Sequence, residues 1–235
     1  MDVFVPVPIL KPLIFLGLFL LTACSEPITQ AAQQTRILAV GDSLLAWNAA
    51  SDDAISDEVA RQLGEPVLDR SVVGAHVIYN LPISGALGLR IASQYRPGNW
   101  DWVIMSGGGN DLWLGCGCEE CDARMTKMLS ADGSSGAVAD LVARARGDGA
   151  KVVYVGYLRS PGRNSPIEGC KAVGDAFDAR LAKMAKRDRG VFFVSNADLV
   201  PEGDLSFHAF DRIHPSIKGS RAIGARVAKV IAAAR

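Results

Sequence analysis

The chain has 235 residues, enough for one domain with a full core and too few for two comfortable ones. Hydrophobic residues make up 49% of it, and 25 basic side chains balance 25 acidic ones, so the formal net charge is zero. That balance offers no basic face of the kind a nucleic acid needs, and no nucleic-acid partner is expected.

Pro12 to Ala23 is an uncharged apolar run, short for a membrane-spanning helix and suited to the core of a secretory signal. Lys11 precedes it, although Asp2 weakens the positive leader. The run ends Leu21-Thr22-Ala23-Cys24. This resembles the bacterial lipoprotein signal, in which a small residue precedes a cysteine that is lipidated and becomes the new N-terminus. The competing reading is an ordinary signal peptide with an incidental cysteine. The resemblance implies a removed segment over 1–23, a lipid anchor to a membrane at Cys24, a polar tether over 24–35 and a folded domain over 36–235. Ser25 rather than an acid follows the cysteine. The expected place is therefore the cell envelope, facing the periplasm, at the outer membrane rather than the inner.

Strand-like and helix-like segments then alternate. Ile37–Val40 is a short apolar run ending in Gly41-Asp42-Ser43-Leu44, which reads as a buried strand delivering small polar residues to a sheet edge. Ile55, Val59 and Leu63 fall four apart and predict a helix over Ser51 to Leu63, closed by Gly64. Pro66 to Val73 reads as a second strand before Gly74, and Leu87, Ile91 and Tyr95 repeat at helical spacing. Trp102–Met105 is a third strand. Ser134 or Ser135 can cap a helix carrying Val138, Leu141, Val142 and Ala145. Val152–Val155 is strand four. Val173, Phe177, Leu181 and Met184 mark a long helix, and Val191–Val194 is strand five. Ser216 caps a last helix with Ile223, Val227 and Val230 inward. Strands without polar alternation are buried on both faces, so five of them predict a parallel sheet between helices: a three-layer α/β/α sandwich. Leu112 to Gly133 is the least regular stretch, and its place after strand three should make it overhang the sheet's carboxyl edge.

Besides Cys24 there are four cysteines: Cys116, Cys118, Cys121 and Cys170. An even number in an exported chain favours disulfides, with three possible connectivities. The competing reading is metal, since Cys-x-Cys-x-x-Cys packs three thiols into six residues. Zinc sites more often show paired CxxC spacings, so no metal is expected.

Polar residues and glycines gather just past the strands. Ser43 follows the first, Gly74 the second, and Gly108-Gly109-Asn110-Asp111 the third, while Asp211-Arg212-Ile213-His214-Pro215 precedes the last helix. These four blocks, in this order, resemble those of the SGNH hydrolases, also called the GDSL esterase/lipase family. The resemblance implies a flavodoxin-like five-stranded sheet and ester hydrolysis through an acyl-enzyme, with no cofactor. It implies Ser43 as nucleophile, and an oxyanion hole from the backbone N–H groups of Ser43 and Gly74 and the amide of Asn110. The chemistry agrees. A serine hydroxyl needs a base within hydrogen-bond reach, and His214 is the candidate. Asp211, three residues earlier, can fix the imidazole tautomer. Glycine at 74 is expected to let a backbone donor approach substrate without a side chain in the way.

Alternatives stand beside each assignment. Ser43 is also a plausible helix cap, Gly74 and Asn110 plausible turn formers, and Asp42 and Asp111 read as structural. His76 could line the pocket mouth, Asp204 and His208 could imitate an acid–base pair, and Asp198 could replace Asp211. Trp47 and Trp113 either wall a substrate pocket or sit in the core. The substrate expected is a small acyl ester, a thioester or a lysophospholipid-like molecule. A carbohydrate O-acetyl ester is the alternative substrate, and a non-catalytic envelope binding lipoprotein the alternative class.

Overall fold

The computed structural model describes residues 35–162 and 164–235. The signal segment, Cys24 and the tether up to residue 34 lie outside the described residues. Five strands, β1 (Ile37–Val40), β2 (Val67–Asp69), β3 (Trp102–Met105), β4 (Lys151–Val155) and β5 (Val191–Val194), form one sheet in the order β2-β1-β3-β4-β5. Every pairing is parallel, with Ile37 opposite Val67 and Trp102, and Met105 opposite Tyr154. This is the flavodoxin-like order, and the sandwich is the one the apolar strands predict.

Alternate strand residues feed two cores, as the period of two requires. Leu38, Val40, Val103, Met105 and Tyr154 face α4 (Asp122–Met128), α5 (Ala137–Gly147) and α6 (Lys171–Arg187), which contribute Met125, Leu141, Phe177 and Leu181. Ile37, Ala39, Ile104 and Val153 face α2 (Ile55–Leu63) and α7 (Ile217–Ala233), which contribute Ile55, Val59, Ile223, Val227 and Ile231. The Leu, Ile, Val, Met and Phe side chains among these each contribute about 1.5–3 kcal/mol on burial. In α7 Ile223, Val227 and Ile231 are fully buried, while Val230, expected inward, packs only partly against that core.

Several elements depart from the sequence expectation. β2 stops at Asp69 rather than Val73. It is an edge strand, and Asp69 turns aside to bind the Ser56 hydroxyl at 2.5 Å and the Ser71 N–H at 2.7 Å. Regular helix over 87–95 is absent: a turn at Pro82–Ser84 runs into a wide turn broken at Gly88 (φ 112°), then a 3₁₀ turn at Ile91–Ser93. α2 begins at Ile55, because Asn48 and Asp52 both take left-handed backbone and only Ala54 starts the helix, its N–H bound by Asp57 at 2.8 Å. α5 follows Gly136 rather than a serine cap. The N–H groups of Ser134 and Ser135 instead bind Ser130 and Asp132 within the preceding loop.

The stretch after β3 is more regular than expected. It forms α3 (Gly109–Cys116) and α4, and carries two disulfides, Cys116–Cys121 between the end of α3 and the start of α4, and Cys118–Cys170. The second ties this region to the residue before α6. All four sulfurs are thus paired, which chooses among the three possible connectivities.

Candidate active site

In this sheet order the strand sequence reverses between β1 and β3, and a crevice opens at their carboxyl ends. β1 delivers Gly41, Asp42 and Ser43 there, and β3 delivers Gly109 and Asn110. Gly41 is required by close approach: a Cβ at this position would stand 2.3 Å from Ser106 Oγ. Gln94, buried under the turn, accepts the Gly41 N–H at 2.6 Å and donates to the Gly41 carbonyl at 2.8 Å. Asp42 is the N-cap of the one-turn helix α1 (Ser43–Ala46), accepting the Leu44 N–H at 3.1 Å. The Ser106 hydroxyl donates to the same carboxylate at 3.1 Å. Burial pushes the Asp42 carboxyl above its ordinary range, against the pull of the Leu44 and Ser106 bonds. Asp42 thus supports the turn, as its sequence context suggests.

Ser43 is the first residue of α1. Its hydroxyl lies 2.8 Å from His214 Nε2, and His214 Nδ1 lies 2.5 Å from Asp211 Oδ2. A carboxylate can only accept, so Nδ1 carries the proton and Nε2 is left to accept from the serine. Asp211 Oδ1 also accepts the N–H groups of Ile213 and His214, both at 3.0 Å. Burial alone would raise the Asp211 carboxyl, but the imidazole and these two N–H groups outweigh it and hold the group below its ordinary value. The Asp211–His214 turn leads directly into α7, whose cap Ser216 accepts the Gly219 N–H at 3.2 Å.

Asn110 lines the crevice, and its amide donates to the Ala75 carbonyl at 2.9 Å, tying the loop after β2 to α3. One N–H of that amide is thereby spent and one is left. Gly74 sits in the tied loop with φ 79°. Among the described residues neither its N–H nor that of Ser43 has a protein acceptor. A Cβ at 74 would meet no protein atom within 4 Å, so within the protein it is the positive φ, not crowding, that favours glycine there. Asp111, with no exposed surface, accepts the N–H groups of Val77 and Ile78 at 2.8 and 2.9 Å and faces Arg124 at 3.5 Å. It braces the loop from below.

The rival pairings do not form. Asp204 binds Ser206, and Asp198 pairs with Arg226 at 2.6 Å. His208 is buried, and that burial pushes its imidazole below the ordinary value, toward the neutral form. His76 is not among the residues that line the crevice; its ring nitrogen lies 2.8 Å from the Gly74 carbonyl.

The crevice opens to solvent beside Ser43 and His214. Leu112 and Trp113 of α3, Tyr157 and Leu158 after β4, Ile167 and Ile213 give it apolar walls, and Cys170 completes one side. Tyr157 is held by Arg159, whose guanidinium lies 4.4 Å from the ring centre and is itself paired with Asp175 and Asp178. Trp113 is therefore a wall residue. Trp47 stacks face to face on His214, with ring centres 3.8 Å apart and planes 6° from parallel. Sequence reasoning missed Gln94, Ser106 and the Tyr157–Ile167 wall. Only the position of Tyr157-Leu158 just past strand four could have pointed to that wall.

An open parallel sheet with serine, imidazole and carboxylate in line at its switch point belongs to the class of α/β ester-bond hydrolases. Residues 39–222 match the model of the GDSL-like lipase/acylhydrolase family, and the chain belongs to that family. No curated protein matches the chain. Among solved structures it is similar to a GDSL-like lipase from Bacteroides thetaiotaomicron, with 16% identity, TM-score 0.59 and coverage of 91% of this chain and 94% of that one. It is also similar to a carbohydrate acetylesterase from Sinorhizobium meliloti, at 19% identity and TM-score 0.53 over 85% and 99% of the two chains. The aryl esterase of M. smegmatis gives 19% identity and TM-score 0.53 over 86% and 100%. At these identities the likeness is one of fold.

Proposed function

We propose that the protein is a serine esterase whose nucleophile is Ser43, acting on acyl esters or thioesters through an acyl-enzyme. The observation that carries this reading is the 2.8 Å contact between Ser43 Oγ and His214 Nε2, with Asp211 on the far nitrogen. Ser43 Oγ attacks the carbonyl carbon while His214 Nε2 takes its proton. The oxyanion is received by the N–H groups of Ser43 and Gly74 and the remaining N–H of Asn110; one such donor supplies about 3–4 kcal/mol in an esterase. His214 then returns the proton to the departing alkoxide or thiolate. Water attacks the acyl-enzyme by the same route, releasing the acid. Asp211 keeps Nδ1 protonated throughout and stabilises the imidazolium.

The apolar walls favour an acyl chain over a bare acetyl group, since a chain leaves water for Leu112, Trp113 and Ile167 at about 0.8 kcal/mol per methylene. A series of p-nitrophenyl esters tests this. Rates per bound substrate that rise from acetate through medium chains support the reading. Activity confined to acetate points to the carbohydrate O-acetyl esterase alternative. Failure of a fluorophosphonate to label Ser43 leaves the binding-protein alternative. The lipoprotein signal adds that the enzyme works in the cell envelope, held to the membrane at Cys24.

A further inference from the structure

Trp47 has no place in either core, nor among the residues that line the crevice. It closes α1 on the residue four after Ser43, its N–H donating to the Ser43 carbonyl at 2.9 Å. From there the indole lies flat on His214. The next residue, Asn48, takes left-handed backbone and sends its amide to the Pro215 carbonyl at 3.1 Å and the Ser220 hydroxyl at 3.0 Å. One four-residue helix therefore carries the serine at its start and, at its end, both a lid on the imidazole and a strut to the chain beside it.

We propose that Trp47 is a positioning residue for His214. Its indole fixes the imidazole plane that serves Ser43 and Asp211 together, and its π face stabilises the imidazolium formed when Ser43 gives up its proton. The inference rests on His214 being the base. An imidazole hinged only by its two nitrogen contacts can still tilt about the line joining them, and a parallel ring at 3.8 Å removes that freedom. The aromatic face carries negative charge density, so the attraction grows when the ring it covers becomes cationic. The stack is thus stronger along the reaction path than in the resting enzyme, which is the property a catalytic contribution needs. The other groups facing the imidazole are Asp211 on its own loop, Asp42 at the cap of α1, and Tyr157 across the crevice. The Tyr157 hydroxyl, pushed up to about 12 chiefly by burial, stays un-ionised near neutrality. None of these groups is altered when Trp47 is replaced.

The test compares wild type, Trp47→Leu and Trp47→Phe on p-nitrophenyl acetate across the acid limb of the pH profile, with His214→Ala as reference. Trp47→Leu keeps apolar bulk but has no π face. Its kcat should fall about fivefold to thirtyfold with KM little changed. The acid limb of kcat should move about half a unit to one unit toward lower pH, because the imidazolium has lost its partner. Trp47→Phe should recover most of both effects. Equal losses in the two variants with the acid limb unmoved, or a rise in KM alone, overturn the proposal. Should Trp47→Leu fail to fold by circular dichroism, NMR titration of the His214 imidazole in wild type and Trp47→Phe decides. A lower midpoint in the weaker-faced variant supports the proposal and an equal one overturns it. If His214→Ala keeps wild-type turnover, the base assignment itself fails. If His214→Ala is inactive while Trp47→Leu matches wild type, only the role of the stack fails.

Discussion

Asp211 accepts three hydrogen bonds within one short turn, two from main-chain N–H groups and one from His214. Asp211→Asn would preserve the shape of the turn but offer Nδ1 an ambiguous partner, and kcat should drop by about 10³–10⁴ with KM nearly unchanged. A loss below tenfold would show that the carboxylate does not set the tautomer. The same group has a stability signature. Its folded value lies below the ordinary one, so its contribution is fully present above about pH 4 and is lost as pH falls through the lowered value. Urea midpoints followed downward from pH 5 should converge between wild type and Asp211→Asn; a constant gap would contradict the linkage. At this scale Ser43, Asp211 and His214 were legible because their short blocks fall in order along the chain and only three histidines compete for the role of base. Gln94 and Ser106 were not, since nothing local marks a glutamine 53 residues away as the clamp on Gly41.

The wall of the crevice is built from elements that propensity alone describes poorly. α3 and α4 are short, α3 contains Gly109 and Gly115, and both lie where cysteines break the apolar period. Cross-links and contacts from α6 hold them, and such long-range terms are absent from a local window. The two disulfides should therefore differ in weight. Cys118–Cys170 closes 52 residues and Cys116–Cys121 only 5. In the chain-entropy account the first is worth about 4 kcal/mol and the second about 2 kcal/mol. Paired serine substitutions, measured by thermal melts, should rank in that order. Because Cys170 lines the crevice, loss of the longer bridge should also narrow the difference in rate between long and short acyl chains. Equal melting shifts and an unchanged chain-length profile would show the wall to be self-supporting. The length of β2 and the turn around Gly88 escaped sequence reasoning for a related reason: an edge strand pairs on one side only, and its end is set by where Asp69 finds side-chain partners.

The whole molecule follows from strand order. Five apolar strands predicted a parallel sheet, but only pairing places β1 beside β3 and opens the crevice between the residues that follow them. The two cores should be energetically separate from the chemistry. Ile223→Ala, at a fully buried position of α7, should cost about 2–5 kcal/mol of stability while kcat of the folded fraction stays near wild type. A matching collapse of kcat would mean that α7 positions His214 more directly than its packing suggests. The proposed anchor belongs to this scale too: Cys24→Ala should move the protein from the membrane fraction to the soluble envelope fraction without changing turnover, and unchanged fractionation would remove the anchor. The central claim is that one serine at the end of β1 does the chemistry. Its most direct measurement is hydrolysis of a p-nitrophenyl ester by wild type and Ser43→Ala, with both proteins also exposed to a fluorophosphonate. The expected result is turnover and labelling in wild type and neither in a folded Ser43→Ala protein. Undiminished turnover in Ser43→Ala would contradict the account.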